Sequence, residues 1–429
     1  MLILSLVNRE VLYRQIAVSI KQEQVIEDPA FKLPWYQWWV SEQMRKLPAH
    51  VLMSLPGGDS DGASAAALYK LWSEIRTAVL APEPRSINSI TDMLIDRDLV
   101  STKDSYEAVL SVKDLVFAVI GMQTMLYQAC FDSSCPGGYR IQDEMSGYHG
   151  TTRMSLYQSS ESSARSFPDF ILGFGVMLPA PNYCAYENDD DRLLFDQTKT
   201  INPGDISAHV LNKLCGVKFQ WVDSLSCHLE LDKHSGTLYL YRYPSFCVSS
   251  LQELNSRGTG EGGRKSVLHA CAFEKNGPLP WASEEDVDGL LQEILLSYRV
   301  IFGQSKRSRA VFRKLRPFAS IPTCGQDQSL AELCSRKRPS CSVQLVEREE
   351  YDLTVHFPHL RSRIAQLSGY ASRKKPRSLR RLWQDRRDSP AWLAYWSAIL
   401  FGLIGLFLVF VQTVFQILQY IDQTRSRDS

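Results

Sequence analysis

The clearest pattern along this chain is an apolar stretch near its C-terminal end. Ser389 to Ile421 contains 33 residues without one charged side chain. A helix needs about 20 mainly apolar residues to cross the hydrocarbon core of a bilayer, whereas a buried core helix usually has an apolar run of about 10 to 14 residues. Residues 389–421 are therefore predicted to form a transmembrane helix.

Basic residues precede this stretch, and the whole set consists of Arg373, Lys374, Lys375, Arg377, Arg380, Arg381, Arg386 and Arg387. Only Arg425 and Arg427 follow it, and positively charged flanks stay on the cytosolic side of a membrane. We expect a tail-anchored, single-pass protein whose N-terminal bulk is cytosolic, with residues 422–429 as a short tail. The endomembrane system is expected rather than the mitochondrial outer membrane. The same eight side chains are predicted to contact the membrane surface, because an anionic leaflet attracts Lys and Arg.

The N-terminal region, residues 1–135, has the hydrophobic period of helices. Apolar residues recur every three or four positions in Asn8 to Gln24 and in Ser105 to Phe131, and Ala63 to Leu80 is rich in Ala and Leu. This spacing places the apolar side chains on one face of a helix. We predict a helix over each of the three segments.

The next region, residues 136–166, is rich in Gly and Ser and is predicted to be a polar loop or linker. Residues 167–325 are predicted to form a mixed α/β region with a β-hairpin over 227–243 and a helix from Glu284 to Ile301. Residues 326–388 combine weak patterning with the basic juxtamembrane linker. The predicted fold class is α+β: a mostly helical soluble region with a small antiparallel β element, plus one C-terminal transmembrane helix.

Composition gives no global reason to expect nucleic-acid binding, because 48 Lys and Arg balance 47 Asp and Glu. The basic character is local. Besides the juxtamembrane set, a basic amphipathic segment contains Lys306, Arg307, Arg309, Arg313, Lys314 and Arg316. Such a face can lie on lipid, meet an acidic partner or remain solvated. The 10 cysteines are widely scattered, so free thiols in a reducing compartment are expected.

One motif points to an enzyme. Gly58-Asp59-Ser60-Asp61-Gly62 matches the G-x-S-x-G nucleophile elbow, with His209, His228 or His269 as conceivable bases. Pro56-Gly57 interrupts the strand that an elbow needs, and a helix-capping turn explains the same residues. Ser60 remains the nucleophile of the alternative hypothesis, a membrane-bound serine hydrolase.

Two weaker motifs lack the context that a ligand site needs. Gly258 to Gly263 fits G-x-G-x-x-G but follows a polar segment instead of a strand. Cys227 and His228 belong to a group of cysteines and histidines around the hairpin, yet adjacent strand residues point to opposite faces. We predict no catalytic, cofactor-binding or metal-binding residues and no cofactor.

The apolar stretch also carries two faces that help membrane helices associate. Gln412, Gln416 and Gln419 share one face, and Ala394, Ala398 and Gly402 form a ridge of small residues. Self-association through the transmembrane helix is one hypothesis. The other is that the glutamines mark the interfacial end of the helix.

Several phrases of the chain resemble a group of fungal proteins without an assigned activity. These phrases are Phe117 to Tyr127, Phe170 to Pro179, the hairpin, Leu295 to Gln304 and Leu379 to Arg387. Met122 stands where the group is expected to have Trp. The resemblance implies a fungal source and the same membrane-tailed architecture, and it transfers no catalytic residue. We interpret the chain as a membrane-tethered, non-enzymatic recognition or scaffolding module that binds the lipid bilayer and unidentified protein partners, with no nucleic acid.

Overall fold

A computed structural model describes residues 29–55, 65–81, 83, 85–101, 105–131, 138–147, 155–175, 178–184, 188–256, 266–272, 282–336, 343–374 and 389–425. They form two units: a folded unit built from residues 29–212 and 216–373, and a C-terminal unit that contains the last helix. The folded unit is mostly helical, which confirms the predicted fold class. Its α-helices are Pro34–Lys46, Ala49–Met53, Ala65–Val79, Ile87–Asp96, Tyr106–Thr124, Phe167–Gly173, Asp189–Gln197, Pro244–Ser256, Val267–Ala270, Val287–Tyr298, Lys306–Leu315, Gln328–Leu333, Leu353–His356 and Arg361–Arg373.

The helix Tyr106–Thr124 lies at the centre of the N-terminal region. Every side chain from Leu115 to Thr124 is buried, because the neighbouring helices Ala49–Met53, Ala65–Val79 and Ile87–Asp96 all pack against it. It ends earlier than Phe131, the predicted end. The backbone adopts the left-handed conformation at Met125, with φ of 51°, which stops the helix.

The turn after this helix folds back onto it. The ring of Tyr127 stacks on Phe117 with 4.9 Å between centroids, and its hydroxyl donates to the Phe117 carbonyl over 2.9 Å. A Cβ at Gly121 would lie only 2.7 Å from the Tyr127 ring. The absent side chain of Gly121 therefore allows the turn to approach the helix so closely.

The region predicted as a polar linker, 136–166, contains regular structure. Strands Gly138–Arg140 and Tyr157–Ser159 pair antiparallel, and a 3-10 helix, Ser160–Ala164, follows. Gln158 donates a hydrogen bond of 2.7 Å to the carbonyl of Phe170, and the ring of Tyr139 lies 5.2 Å from that of Phe170. These contacts attach the region to the aromatic core, so it does not separate two compact units.

The hairpin predicted over 227–243 is present with a shorter first strand. Strand Leu231–Asp232 pairs antiparallel with Thr237–Tyr241, whereas Leu225–Cys227 is a 3-10 helix. The second strand is buried at all five positions, because it also pairs on its other edge with Lys218–Val222. This second pairing is parallel, so the three-stranded sheet is mixed.

The weakly patterned region, 326–388, is more ordered than its sequence indicates. Strand Tyr351–Asp352 pairs with Thr200–Ile201, and the helix Arg361–Arg373 is buried over most of its length. Arg361 lies over the ring of Phe195 at 4.0 Å, and Arg363 forms an ion pair with Glu230. Polar side chains on this helix are thus core residues, and hydrophobic periodicity does not detect them.

A buried carboxylate connects the helix Val287–Tyr298 to the start of Arg361–Arg373. Glu293 accepts hydrogen bonds from the backbone N–H groups of His359, over 3.0 Å, and Leu360, over 2.8 Å. Burial raises the pKa of Glu293 from 4.5 to about 8. The carboxyl is therefore protonated in the folded state across a pH range in which it is ionised in the unfolded state.

The stability of the folded unit should fall as this carboxyl ionises. Between pH 4.5 and 8 the folded state holds a proton that the unfolded state has released. The contribution of Glu293 to the free energy of unfolding is therefore complete below pH 4.5 and is lost as pH rises to 8. The free energy of unfolding should fall by at most about 1.4 kcal/mol per pH unit in this range. Chemical unfolding of the full chain in detergent micelles should show Glu293→Gln gaining stability relative to wild type as pH rises. Glu349→Gln, at an exposed glutamate, should not gain stability in this way. If the stability difference between Glu293→Gln and wild type stayed constant with pH, the raised pKa of Glu293 would be refuted.

Candidate functional site

The C-terminal helix Ser389–Arg425 has the properties of a membrane span. Its segment Trp396–Ile421 has 26 residues, and an 18-residue window within it has a mean hydropathy of 2.5 and no buried residue. At 1.5 Å per residue it is about 39 Å long, enough for a hydrocarbon core of about 30 Å. The exposed fraction reaches 71% at Phe401 and 72% at Leu406. A helix that is apolar on all sides requires an apolar solvent or a protein core around it.

The predicted membrane-surface residues precede this helix in the sequence. Arg373 is the last residue of the helix Arg361–Arg373, Lys374 follows it, and both side chains are exposed. The other six, Lys375, Arg377, Arg380, Arg381, Arg386 and Arg387, lie outside the described residues. The tail predicted to begin at residue 422 continues the helix as far as Arg425.

The imidazole of His228 has a structural role. Its Nδ1 accepts the Tyr241 backbone N–H over 3.3 Å, so the proton lies on Nε2, which donates to the Ser297 hydroxyl over 2.8 Å. Burial and, secondarily, Arg363 lower the pKa of His228 to about 3. Because its lone pair is already occupied, His228 is not available as a catalytic base.

The imidazole of His269 lies between a serine and an aspartate. The hydroxyl of Ser266 is 2.7 Å from Nδ1, and Oδ1 of Asp288 is 3.1 Å from Nε2. An ionised carboxylate can only accept, so Nε2 carries the proton and Ser266 donates to Nδ1. The proton order is that of a serine–histidine–aspartate triad. His269 is 1% exposed and Ser266 is 5% exposed, so the arrangement also satisfies a buried imidazole.

The structure does not describe the serine motif of the sequence. Ser60 lies outside the described residues, as does the glycine-rich run Gly258 to Gly263. His209 is half-buried, and its backbone N–H donates to the hydroxyl of Ser308 over 3.2 Å. Ser266, which belongs to none of the sequence motifs, is the serine paired with His269. The i, i+3 spacing of a serine and a histidine was its only signal in the sequence.

Sequence patterns also missed a half-buried acidic pair, Glu144 and Asp223. Glu144 accepts from the backbone N–H groups of Asp223, over 2.8 Å, and Ser224, over 2.7 Å. Asp223 accepts from Trp39 over 3.0 Å and forms an ion pair of 2.6 Å with Arg242. Burial first, and the charge of Asp223 second, raise the pKa of Glu144 to about 7. The pair cross-links distant parts of the chain through groups that are already hydrogen-bonded.

Within the described residues, no group of three or more His, Cys, Asp or Glu side chains is arranged to hold a metal ion. The described cysteines form no disulfide bonds with one another, and several of them are buried in the folded unit. Cys227 is one of these, and burial raises its thiol pKa above the usual range. A neutral buried thiol behaves as a small apolar side chain.

No family model, curated protein or solved structure matches this chain. The resemblance to fungal proteins therefore stays a prediction. The class that the structure defines is a mostly helical α+β unit with one C-terminal helix long and apolar enough to span a bilayer.

Proposed function

We propose that this protein is a membrane-tethered recognition or scaffolding module whose folded unit binds other proteins. The observation that carries the proposal is the Trp396–Ile421 segment, which exposes apolar side chains around its whole circumference. Transfer of such a surface from water to lipid is strongly favourable, at about 25 cal/mol per Å² of apolar area. The helix thus provides an anchor.

The basic flank supports a cytosolic position for the folded unit. Eight basic residues precede the span between positions 373 and 387, and two follow it. This asymmetry favours a cytosolic N-terminal side, the orientation of the tail-anchored topology that we propose. We propose an endomembrane location, because the apolar span is long and the tail after it is only weakly basic.

A role in recognition is supported by the ionisable side chains of the folded unit, several of which serve as structural cross-links. His228, Glu144 and Glu293 all have hydrogen-bond partners that connect distant segments of the fold. Such groups stabilise a specific structure instead of facing a substrate. Self-association through the glutamine face or the small-residue ridge of the span is a further proposal.

Proximity labelling in intact cells tests this function. A labelling enzyme fused to Met1 of the full chain should mark cytosolic-face endomembrane proteins and a limited set of soluble partners. A matched chain without residues 389–421 should lose the membrane proteins and retain direct partners of the folded unit. Labelling confined to lumenal proteins would contradict the proposed orientation, and an identical protein set for both chains would contradict the tether.

A membrane-bound serine hydrolase is the second candidate function, with Ser60 as the nucleophile expected from the sequence. The specific observation in favour of this class is the hydrogen-bonded row of Ser266, His269 and Asp288. A serine that donates to the neutral imidazole can transfer its proton as it attacks a carbonyl. This arrangement makes Ser266 a second nucleophile to test beside Ser60.

A serine-directed fluorophosphonate probe distinguishes the two functions. Under the leading proposal, the folded full-length chain should show no labelling above that of a heat-denatured sample. Labelling that disappears in Ser60→Ala or in Ser266→Ala, but persists in the matched Ser335→Ala, would establish the hydrolase. The variant that loses labelling would identify the nucleophile.

A further inference from the structure

The helix Lys306–Leu315 presents two different faces. Ser308 and Val311 are buried, and Phe312 packs against the rings of Trp221 and Phe302 at 6.1 Å and 5.5 Å. Positions 306, 307, 310, 313 and 314 lie on the opposite side, where four of the five residues are Lys or Arg. The packed face fixes the helix on the folded unit and directs these four charges outward.

The sequence segment around this outward face carries further basic residues and no acidic residue. Residues 299–326 contain seven basic residues and no acidic one. Within the described part of the chain, no carboxylate pairs with Arg307, Arg313 or Lys314, although other exposed basic side chains, such as Arg45 with Glu42, do pair. Like charges held together without counter-charges favour an anionic partner.

The membrane anchor of the same chain determines which anionic partner is within reach. The 14 residues from 375 to 388 join the folded unit to the helix Ser389–Arg425. Even fully extended, they span at most about 50 Å. A tethered face meets the lipid surface at a high effective concentration, whereas an acidic protein must be encountered from solution.

The composition of the outward face suits a contact with lipid headgroups that does not extend into the acyl region. It carries Lys306, Arg307, Arg313 and Lys314 around Ala310, without a large apolar side chain that could enter the acyl region. Arginine forms paired hydrogen bonds with phosphate oxygens, and lysine supplies a mobile point charge. This combination suits laterally mobile phosphate and carboxylate groups.

We propose that the outward face of the helix Lys306–Leu315 binds anionic phospholipid headgroups and so holds the folded unit against the membrane that the C-terminal helix spans. This inference rests on the proposed membrane tether and cytosolic position. The contact is electrostatic, so it requires anionic lipid. It is lost at about 1 M salt, where the Debye length falls to about 3 Å.

Lysine footprinting of the full chain in lipid nanodiscs tests this contact. A neutral amine-reactive reagent is applied to nanodiscs of phosphatidylcholine alone or mixed with phosphatidylserine, and modification is read by peptide mass spectrometry. Lys306 and Lys314 should become several-fold less reactive in the mixed bilayer and recover at high salt. Lys70, an exposed lysine on the helix Ala65–Val79, serves as the internal control and should not change.

A charge-reversal variant makes the test specific. Arg307→Glu with Arg313→Glu leaves both reporter lysines in place and should restore their reactivity in the mixed bilayer. The matched Arg45→Glu should retain their protection. Equal reactivity in the two bilayers, or protection that survives the double substitution, would overturn the inference. If the two lysines were protected only after cytosol was added, and without phosphatidylserine, the lipid contact would be overturned in favour of an acidic protein partner.

The outcomes separate this inference from the proposed function. A chain that does not co-elute with nanodiscs contradicts the tether itself, and with it the lipid contact. A chain that co-elutes while Lys306 and Lys314 stay fully reactive contradicts the headgroup contact alone. Circular dichroism of the charge-reversal variant, matching that of wild type, confirms that a loss of protection is not a loss of folding.

Discussion

Two lysines placed at the centre of the C-terminal helix, Leu406→Lys with Phe410→Lys, are expected to release the chain from membranes. Both side chains are more than 60% exposed, so their replacement removes no packing in the folded unit. Each lysine at the centre of a span costs about 2.5 to 3.5 kcal/mol of insertion free energy, or about 5 to 7 kcal/mol for the pair. Most of the double variant should be recovered in the supernatant after an alkaline carbonate wash.

The controls distinguish charge from lost apolar surface. Leu406→Ala with Phe410→Ala should remain in the membrane pellet, because alanine leaves the span free of charge. Tyr420→Lys should also remain, since a lysine near the end of a helix reaches the headgroup region. Release of the wild-type chain by carbonate without detergent would refute the membrane-spanning assignment.

Loss of the Arg363 guanidinium should give the largest destabilisation in the folded unit. Its Nε lies 2.9 Å from Oε1 of Glu230, both side chains are buried, and it also donates to the carbonyl of His228. Arg363→Met fills a similar volume but leaves the Glu230 carboxylate buried without its counter-charge. Such a loss costs about 3 to 5 kcal/mol. Thermal unfolding in detergent micelles should show a midpoint many degrees below that of wild type.

A double-mutant cycle separates the lost charge from the lost packing. Glu230→Met combined with Arg363→Met should be more stable than Arg363→Met alone, because a buried ion pair can be replaced by apolar side chains at little cost. Arg373→Met, at an exposed residue on the same helix, is the matched control and should unfold close to wild type. If the double variant were as unstable as the sum of the single variants, the two side chains would be independent.

The parts of the fold that the sequence predicted are those with local hydrophobic periodicity. The helix predicted from Ala63 to Leu80 is observed as Ala65–Val79, and the span predicted over 389–421 lies inside Ser389–Arg425. The turn of the hairpin was also correct. In each case, the residues that determine the structure are neighbours in sequence, so the pattern itself contains the information.

The errors occurred where burial depends on a distant partner. Arg361–Arg373 lies in the region that was predicted to be weakly patterned, yet Arg363 is buried and paired with Glu230, 133 positions away. Residues 136–166 looked like a linker, because the partner strands and Phe170 are not evident from composition. Short strands carry too few positions for an alternation to be detected.

The candidate sites divide in the same way. The membrane-surface role of the basic residues before the span stays a prediction, which rests on charge as a property of the residues themselves. The pairing of Ser266 with His269 and Asp288, and the occupied nitrogens of His228, depend on side-chain geometry. The sequence therefore suggested three histidines as equivalent bases, and the structure removed His228 from this set.

By itself, the sequence determined that this protein has one segment suited to a bilayer and a basic flank on one side of it, because transfer from water to lipid depends on composition over about 20 residues. The tertiary structure decided which polar groups are buried, which basic face of a helix is directed outward, and which histidine faces a serine and an aspartate. Those properties arise from contacts between residues far apart in the chain, where a charge or hydroxyl acquires its role from its partner.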